Sequence, residues 1–121
     1  MFTEDKYNET FGNTNQPIVD EAFSKYDIIL SPVSPTTAYR IGEQIEDPLA
    51  MYLADIYTVS INLSGLPAVA LPCGFGTNGM PVGMQLIGKA FSENVLVKAA
   101  YEYQKTTDHH TKSPAKKGGA K

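Results

Sequence analysis

The chain has 121 residues, 42% of them apolar, a size and content that suit one globular domain. No apolar run approaches the roughly 20 residues that cross a bilayer, and the polar opening MFTEDKYNET lacks a signal peptide's apolar stretch, so a cytoplasmic or organelle-matrix protein with no membrane partner is expected. The net charge of −3 hides a basic end, with Lys112, Lys116, Lys117 and Lys121 in the last ten positions, and the acidic remainder argues against a direct grip on a nucleic-acid backbone.

Residues 1–17 show no period and end in Pro17, which predicts an irregular segment. Ile18, Ala22, Phe23 and Tyr26 then fall at helical spacing, giving a short amphipathic helix that ends near Lys25. Tyr26 to Leu30 is apolar on both faces apart from Asp27, which predicts a strand covered on both sides and stopped by Ser31-Pro32. Two Ser-Pro steps and a glycine make Ser31 to Glu46 a long loop, stiffened at its start, of a length that tends to be functional in compact domains.

Asp47-Pro48 is a helix start, because the carboxylate can accept an orphan backbone N–H while proline sits where no donor is needed. That helix should run to about Tyr57, with Leu49, Tyr52, Leu53, Ile56 and Tyr57 on one core-facing stripe and Asp55 off it. Val59 to Ser64 stays open between helix and strand. After Gly65-Leu66-Pro67, Ala68 to Leu71 reads as a buried strand ended by Pro72. Gly74 to Pro81 is rich in turn formers, Asn78-Gly79 above all, and Val82 to Ile87 resumes a strand, so the pair predicts an antiparallel hairpin. Ser92 is placed to cap a last helix with Leu96, Ala99, Ala100 and Tyr103 on one face, extended by Val95 and Val97 and fraying near Thr107. From Thr111 onward the composition is that of a disordered tail, and no internal repeat is found.

The order of these elements and their wording resemble the amidase-signature family. YDIILSPVSPTTAYRIGEQIEDPLAMYLADIYT, INLSGLPAVALPCGF and GMPVGMQLIGKAFSENVLVKAAYEYQKTTDHH are similar to the end of its members. EDPLAMYLADIYT resembles in particular the branch that serves the glutamyl-tRNA(Gln) amidotransferases as their glutaminase, the A subunit. The resemblance divides the chain into a non-matching segment 1–17, the C-terminal segment of an amidase-signature domain at 18–110, and a basic tail at 111–121. Ser60 departs from it, standing where proline is usual.

The implied fold is α/β, a mixed β-sheet between α-helical layers, of which this chain would hold an incomplete part with marginal stability alone. The implied activity is release of ammonia from glutamine, or from asparagine as a secondary donor, to amidate glutamate misacylated on tRNA(Gln). The implied partners are the B and C subunits of such a complex; ATP and Mg serve in one of those partners, and tRNA is met only indirectly. In the family an acyl-enzyme forms on a serine activated by a second serine, in a cis peptide, and by a lysine. Those residues belong to Gly/Ser-rich and Lys-containing segments with no counterpart here, so no catalytic residue is assigned and the chain alone is not expected to hydrolyse amides. The rival expectations are a non-catalytic remnant or interaction module that complements another fragment, and the C-terminal part of a general amidase, since general amidases share Gly65-Leu66-Pro67 and the run from Pro81 to Gln85.

Asp55 is the candidate substrate-binding residue: by resemblance it matches the aspartate that holds the α-ammonium of glutamine. From spacing alone it is equally a solvated acid on the polar side of a helix. Cys73 is the single cysteine, which excludes an internal disulfide, and it reads as a small buried hydrophobe rather than a nucleophile. The only histidines, His109 and His110, read as a helix terminus, and no metal or cofactor is expected in the chain. Ser31, Ser34, Thr36 and Thr37 could line a pocket at a strand end, or serve turn chemistry. The lysine tail reads as a solubilising end more than a tRNA contact.

Overall fold

The computed structural model of the chain describes residues 16–43 and 47–113; the expectations for 1–15, 44–46 and 114–121 lie outside the described residues. The elements are α1 (Gln16–Lys25), β1 (Ile29–Pro32), α2 (Pro48–Leu53), α3 (Ile56–Leu63), β2 (Ala68–Phe75), β3 (Pro81–Ile87), α4 (Glu93–Thr106) and a 3-10 turn (His109–Thr111). The three strands form one sheet in the order β1-β3-β2, antiparallel throughout.

The β2–β3 hairpin turns where its sequence demands it. Gly79 takes φ 78, a conformation that glycine adopts without a Cβ clash. The Gly76 N–H donates to the Met80 carbonyl at 2.8 Å and closes the turn. The register sets Ile29, Ile87 and Ala68 in one row, Leu30, Leu86 and Val69 in the next, and Ser31, Gln85 and Ala70 in the third. Because strand side chains alternate, Met84 and Leu86 point to one face while Gln85 and Ile87 point to the other.

On the first face Leu71, Met84 and Leu86 meet Leu96 and Ala100 of α4, with Ile28, Val69, Cys73, Ala99 and Tyr103 packed around them. Leu96 is only 2% exposed, and the last helix packs through Leu96, Ala99, Ala100 and Tyr103 as their spacing predicts, whereas Val95 and Val97, expected to extend that face, stand exposed at 41% and 62%. The second face is less filled. A cavity of about 230 Å³ lies there, lined by Val19 of α1, Ile29 and Ile87 of the sheet, Ser60 and Ile61 of α3, and Ser64 at the C-cap of that helix.

Several expectations are corrected. The first strand starts at Ile29 rather than Tyr26, because the Tyr26 N–H still donates to the Ala22 carbonyl and prolongs the end of α1. It is an edge strand with alternating exposure, not one covered on both sides. β2 continues through Pro72 to Phe75; an edge strand tolerates the missing N–H, and a bulge between Pro72 and Gly74 absorbs the irregularity. The helix that begins after Asp47 does not run unbroken to Tyr57 but breaks at Ala54 and Asp55 into α2 and α3. α3 also settles residues 59–63 as helix. The stripe expected to face the core is largely exposed, Leu49 at 64% and Tyr52 at 80%. Ser92 occupies the N-cap position of α4, yet its hydroxyl donates back to the Lys89 carbonyl at 2.7 Å instead of capping. Among the described residues no helix is long and apolar enough to cross a membrane.

Candidate functional site

The loop after β1 begins in register with the sheet, the Val33 N–H donating to the Gly83 carbonyl at 3.3 Å. It then borders a cleft of about 400 Å³ lined by residues 33–39, by Pro81, Val82 and Gly83 at the start of β3, and by Ala54. Ser34, Thr36 and Thr37 therefore line the cleft, while Ser31 does not; its hydroxyl donates to the Pro32 carbonyl at 3.1 Å. The lining hydroxyls also serve turn chemistry. The Ser34 oxygen accepts the Thr36 N–H, and the Thr37 hydroxyl oxygen accepts from Asn78 Nδ2 at 2.9 Å, fastening the loop to the hairpin turn. The approach is tight enough that a Cβ on Gly76 would stand 3.1 Å from Thr37 Cγ2 and 2.9 Å from Asn78 Oδ1.

Next to Ala54, Asp55 occupies the N-cap position of α3, with φ −100 and ψ 9. Its main-chain carbonyl accepts three hydrogen bonds, from the Thr58 and Val59 N–H groups and the Thr58 hydroxyl. Its carboxylate is exposed and makes no cap hydrogen bond. The neighbouring helix provides the contrast, since the Asp47 carboxylate accepts both Leu49 and Ala50 N–H groups. Two aspartates thus precede two consecutive helices, and one caps while the other does not.

Gln85, which does not line the cleft, ties the start of its loop to α3 and was not announced by the sequence. It is the one buried polar residue among those described, 4% exposed, and its Nε2 donates to the Pro32 and Tyr57 carbonyls, both at 3.0 Å. The available signal was an amide between Met84 and Leu86 in an otherwise apolar strand, which alternation places opposite the main core. Cys73 packs at the rim of that core, with Sγ 3.5 Å from the Val82 carbonyl, as a small hydrophobe would. His109 meets the Phe75 ring edge-on at 6.2 Å, which anchors the 3-10 turn to the end of β2.

The family model described as Amidase matches residues 9–97. The glutamyl-tRNA(Gln) amidotransferase A subunit of Agathobacter rectalis is 55% identical over 89 residues, covering 74% of this chain and 18% of its own length. Its counterpart in Methanosarcina mazei is 52% identical over 95 residues, covering 78% and 20%. Among solved structures, the glutamyl-tRNA(Gln) amidotransferase A subunit of Thermotoga maritima is similar at a TM-score of 0.60 and 51% identity, over 64% of this chain and 17% of that one. The 6-aminohexanoate cyclic dimer hydrolase is similar at a TM-score of 0.69 and 25% identity, over 92% and 25%. The chain spans about a fifth of the length of the curated relatives it matches.

Proposed function

The chain belongs to the amidase family, and we propose that it forms the substrate-contacting C-terminal part of a glutaminase of the kind found as the A subunit in glutamyl-tRNA(Gln) amidotransferases. The complete enzyme releases ammonia from glutamine, with asparagine as a secondary donor, and the ammonia amidates glutamate misacylated on tRNA(Gln). The B and C subunits are its partners, one of them uses ATP and Mg, and no residue of this chain is assigned to hold either. The cytoplasm or an organelle matrix is the compartment. The amidase-fold hydrolase at 25% identity supports the fold of this reading, and the relatives above 50% identity support its branch.

The observation that carries the proposal is the Asp55 carboxylate, which precedes a helix without capping it. An aspartate at this position ordinarily stabilises its helix by about 0.5–2 kcal/mol through an N–H it accepts. Here both carboxylate oxygens are left for another donor, beside the residue that lines the cleft. An α-ammonium is suited to that place, because it offers a charge-assisted hydrogen bond that a simple amide lacks. Asp55 then holds and orients the amino-acid end of glutamine, while the nucleophilic serine and its activating groups come from the family's catalytic segment.

Mixing the chain with a separately produced amidase catalytic segment and following ammonia release from glutamine tests the proposal. Activity is expected from the mixture and none from the chain alone. A folded catalytic segment that binds the chain yet releases no ammonia would overturn it.

A further inference from the structure

We propose that Gln85 is a positioning residue that holds Asp55 at a fixed distance from the loop lining the cleft. The inference rests on the reading of Asp55 as the carboxylate that meets the substrate ammonium. Burial alone does not call for glutamine at this position, since methionine fills the same space and leaves no amide to satisfy. The amide is instead used in full on its donor side. One nitrogen carries two N–H groups, and these reach two main-chain carbonyls in elements distant in the chain, Pro32 at the end of β1 and Tyr57 in the first turn of α3.

Those two carbonyls flank the candidate site. Pro32 immediately precedes the residues 33–39 that line the cleft, and Tyr57 lies two residues beyond Asp55. A planar nitrogen with its N–H groups about 120° apart holds the two acceptors roughly 5 Å from each other, so the spacing of loop and helix is set by one side chain. The side chain comes from β3, the central strand of the sheet, which is paired to a neighbour on each side. The helix needs such a tie. Its start carries no side-chain cap, it follows the interruption between α2 and α3, and Ile56 and Val59 on it are half exposed rather than locked in a core. Without the bond to Tyr57, the start of α3 and the Asp55 carboxylate can drift relative to the cleft.

The test uses the assembled amidase, this chain together with the catalytic segment, in four forms: unmodified, Gln85→Met, Asp55→Asn, and the double variant. Glutamine and a simple amide without an α-ammonium are compared as substrates. Gln85→Met is expected to lower glutamine kcat/KM about tenfold, the order of one hydrogen bond, while the simple amide changes less than about twofold. In the Asp55→Asn background it should add little, because the carboxylate it positions is already gone. Hydrogen exchange at the Thr58 and Val59 amides, which donate to the Asp55 carbonyl, should speed up while α4 is unchanged. If Gln85→Met does not give folded enzyme, Gln85→Leu, which also lacks the amide and buries no charge, takes its place in the single and double variants. An equal loss on both substrates, or losses that add with those of Asp55→Asn, overturns the positioning role even where Asp55→Asn alone discriminates the substrates. Should Asp55→Asn itself fail to discriminate them, the ammonium reading falls and this proposal with it.

Discussion

Asp47 Oδ1 accepts the Leu49 N–H at 3.0 Å, and the Ala50 N–H at 3.2 Å, so one carboxylate satisfies two orphan donors of a six-residue helix. Pro48 occupies the first helical position, where its missing N–H costs nothing. A helix this short has little propagation to offset its nucleation, and the cap is a large share of what holds it. Asp47→Ala is therefore expected to destabilise α2 by about 1 kcal/mol, read as a roughly fivefold faster hydrogen exchange in residues 49–53. Asp47→Asn, which keeps an acceptor, should exchange almost as slowly as the unmodified chain. Unchanged exchange in the alanine variant would show that packing rather than the cap sustains α2.

The features legible in the sequence are those whose cause is local. Asp47-Pro48 starts a helix, Asn78-Gly79 turns a hairpin, and Leu96 with Ala100 marks the buried side of α4, because in each case the atoms responsible lie within a few residues of one another. The break at Ala54 and Asp55 carries no glycine or proline to announce it, and the apolar spacing continues across it. A periodic stripe says that a face is apolar, not what covers it, so Leu49 and Tyr52 read as core and stand exposed. Gln85 is illegible for a related reason. Its partners lie 53 and 28 residues away, and only the fold brings them within 3.0 Å. Of the site, Ser31, Ser34, Thr36 and Thr37 read equally as pocket lining and as turn chemistry; Ser34, Thr36 and Thr37 line the cleft and Ser31 does not.

The exposed stripe has a consequence in solution. Leu49, Tyr52 and Ile56 present apolar surface across α2 and α3, joined by Val59 and Leu63. Purified alone, the chain is expected to associate with itself, bind an apolar dye, and melt over a broad range. Leu49→Glu combined with Tyr52→Lys should reduce association while leaving the strand signal in circular dichroism intact, since neither residue belongs to the core under α4. A sharp cooperative melt of a dye-free monomer would count against this expectation.

Around the 3-10 turn that follows α4, Lys112 Nζ lies 2.9 Å from the Asp108 carboxylate. The hydrogen bond and charge of Lys112 lower the Asp108 pKa below its ordinary 3.8. A depressed carboxyl pKa stabilises the fold above the unfolded value, and that contribution is lost as pH falls through the folded one. Both side chains are well exposed, so the pair is screened and adds little. Lys112→Met should therefore return the Asp108 titration, followed by NMR, toward its ordinary value without moving the melting temperature at neutral pH. A clear fall in melting temperature would assign the pair a structural weight that its exposure does not suggest.

Asp55 offers the most direct separation of binding from structure. In the assembled enzyme, Asp55→Asn keeps the side-chain shape and removes the charge, so a charge-assisted hydrogen bond to the substrate ammonium becomes a neutral one. The expected loss is about 1.5–3 kcal/mol, on the order of ten- to a hundredfold in glutamine kcat/KM. A simple amide has no α-ammonium and never used the charge, so its hydrolysis should fall much less. The helix gives an internal control: the Asp55 main-chain carbonyl, not its carboxylate, receives the Thr58 and Val59 N–H groups, and asparagine leaves that carbonyl in place. The melting temperature should accordingly stay within about 1 °C, a shift smaller than that of a lost cap. If Asp55 were only a solvated acid, neither substrate would respond; if it were a structural residue, both would fall together with the melt. Measuring both substrates and the melt on one variant separates the three, and an equal loss on both substrates would sink the ammonium-binding assignment.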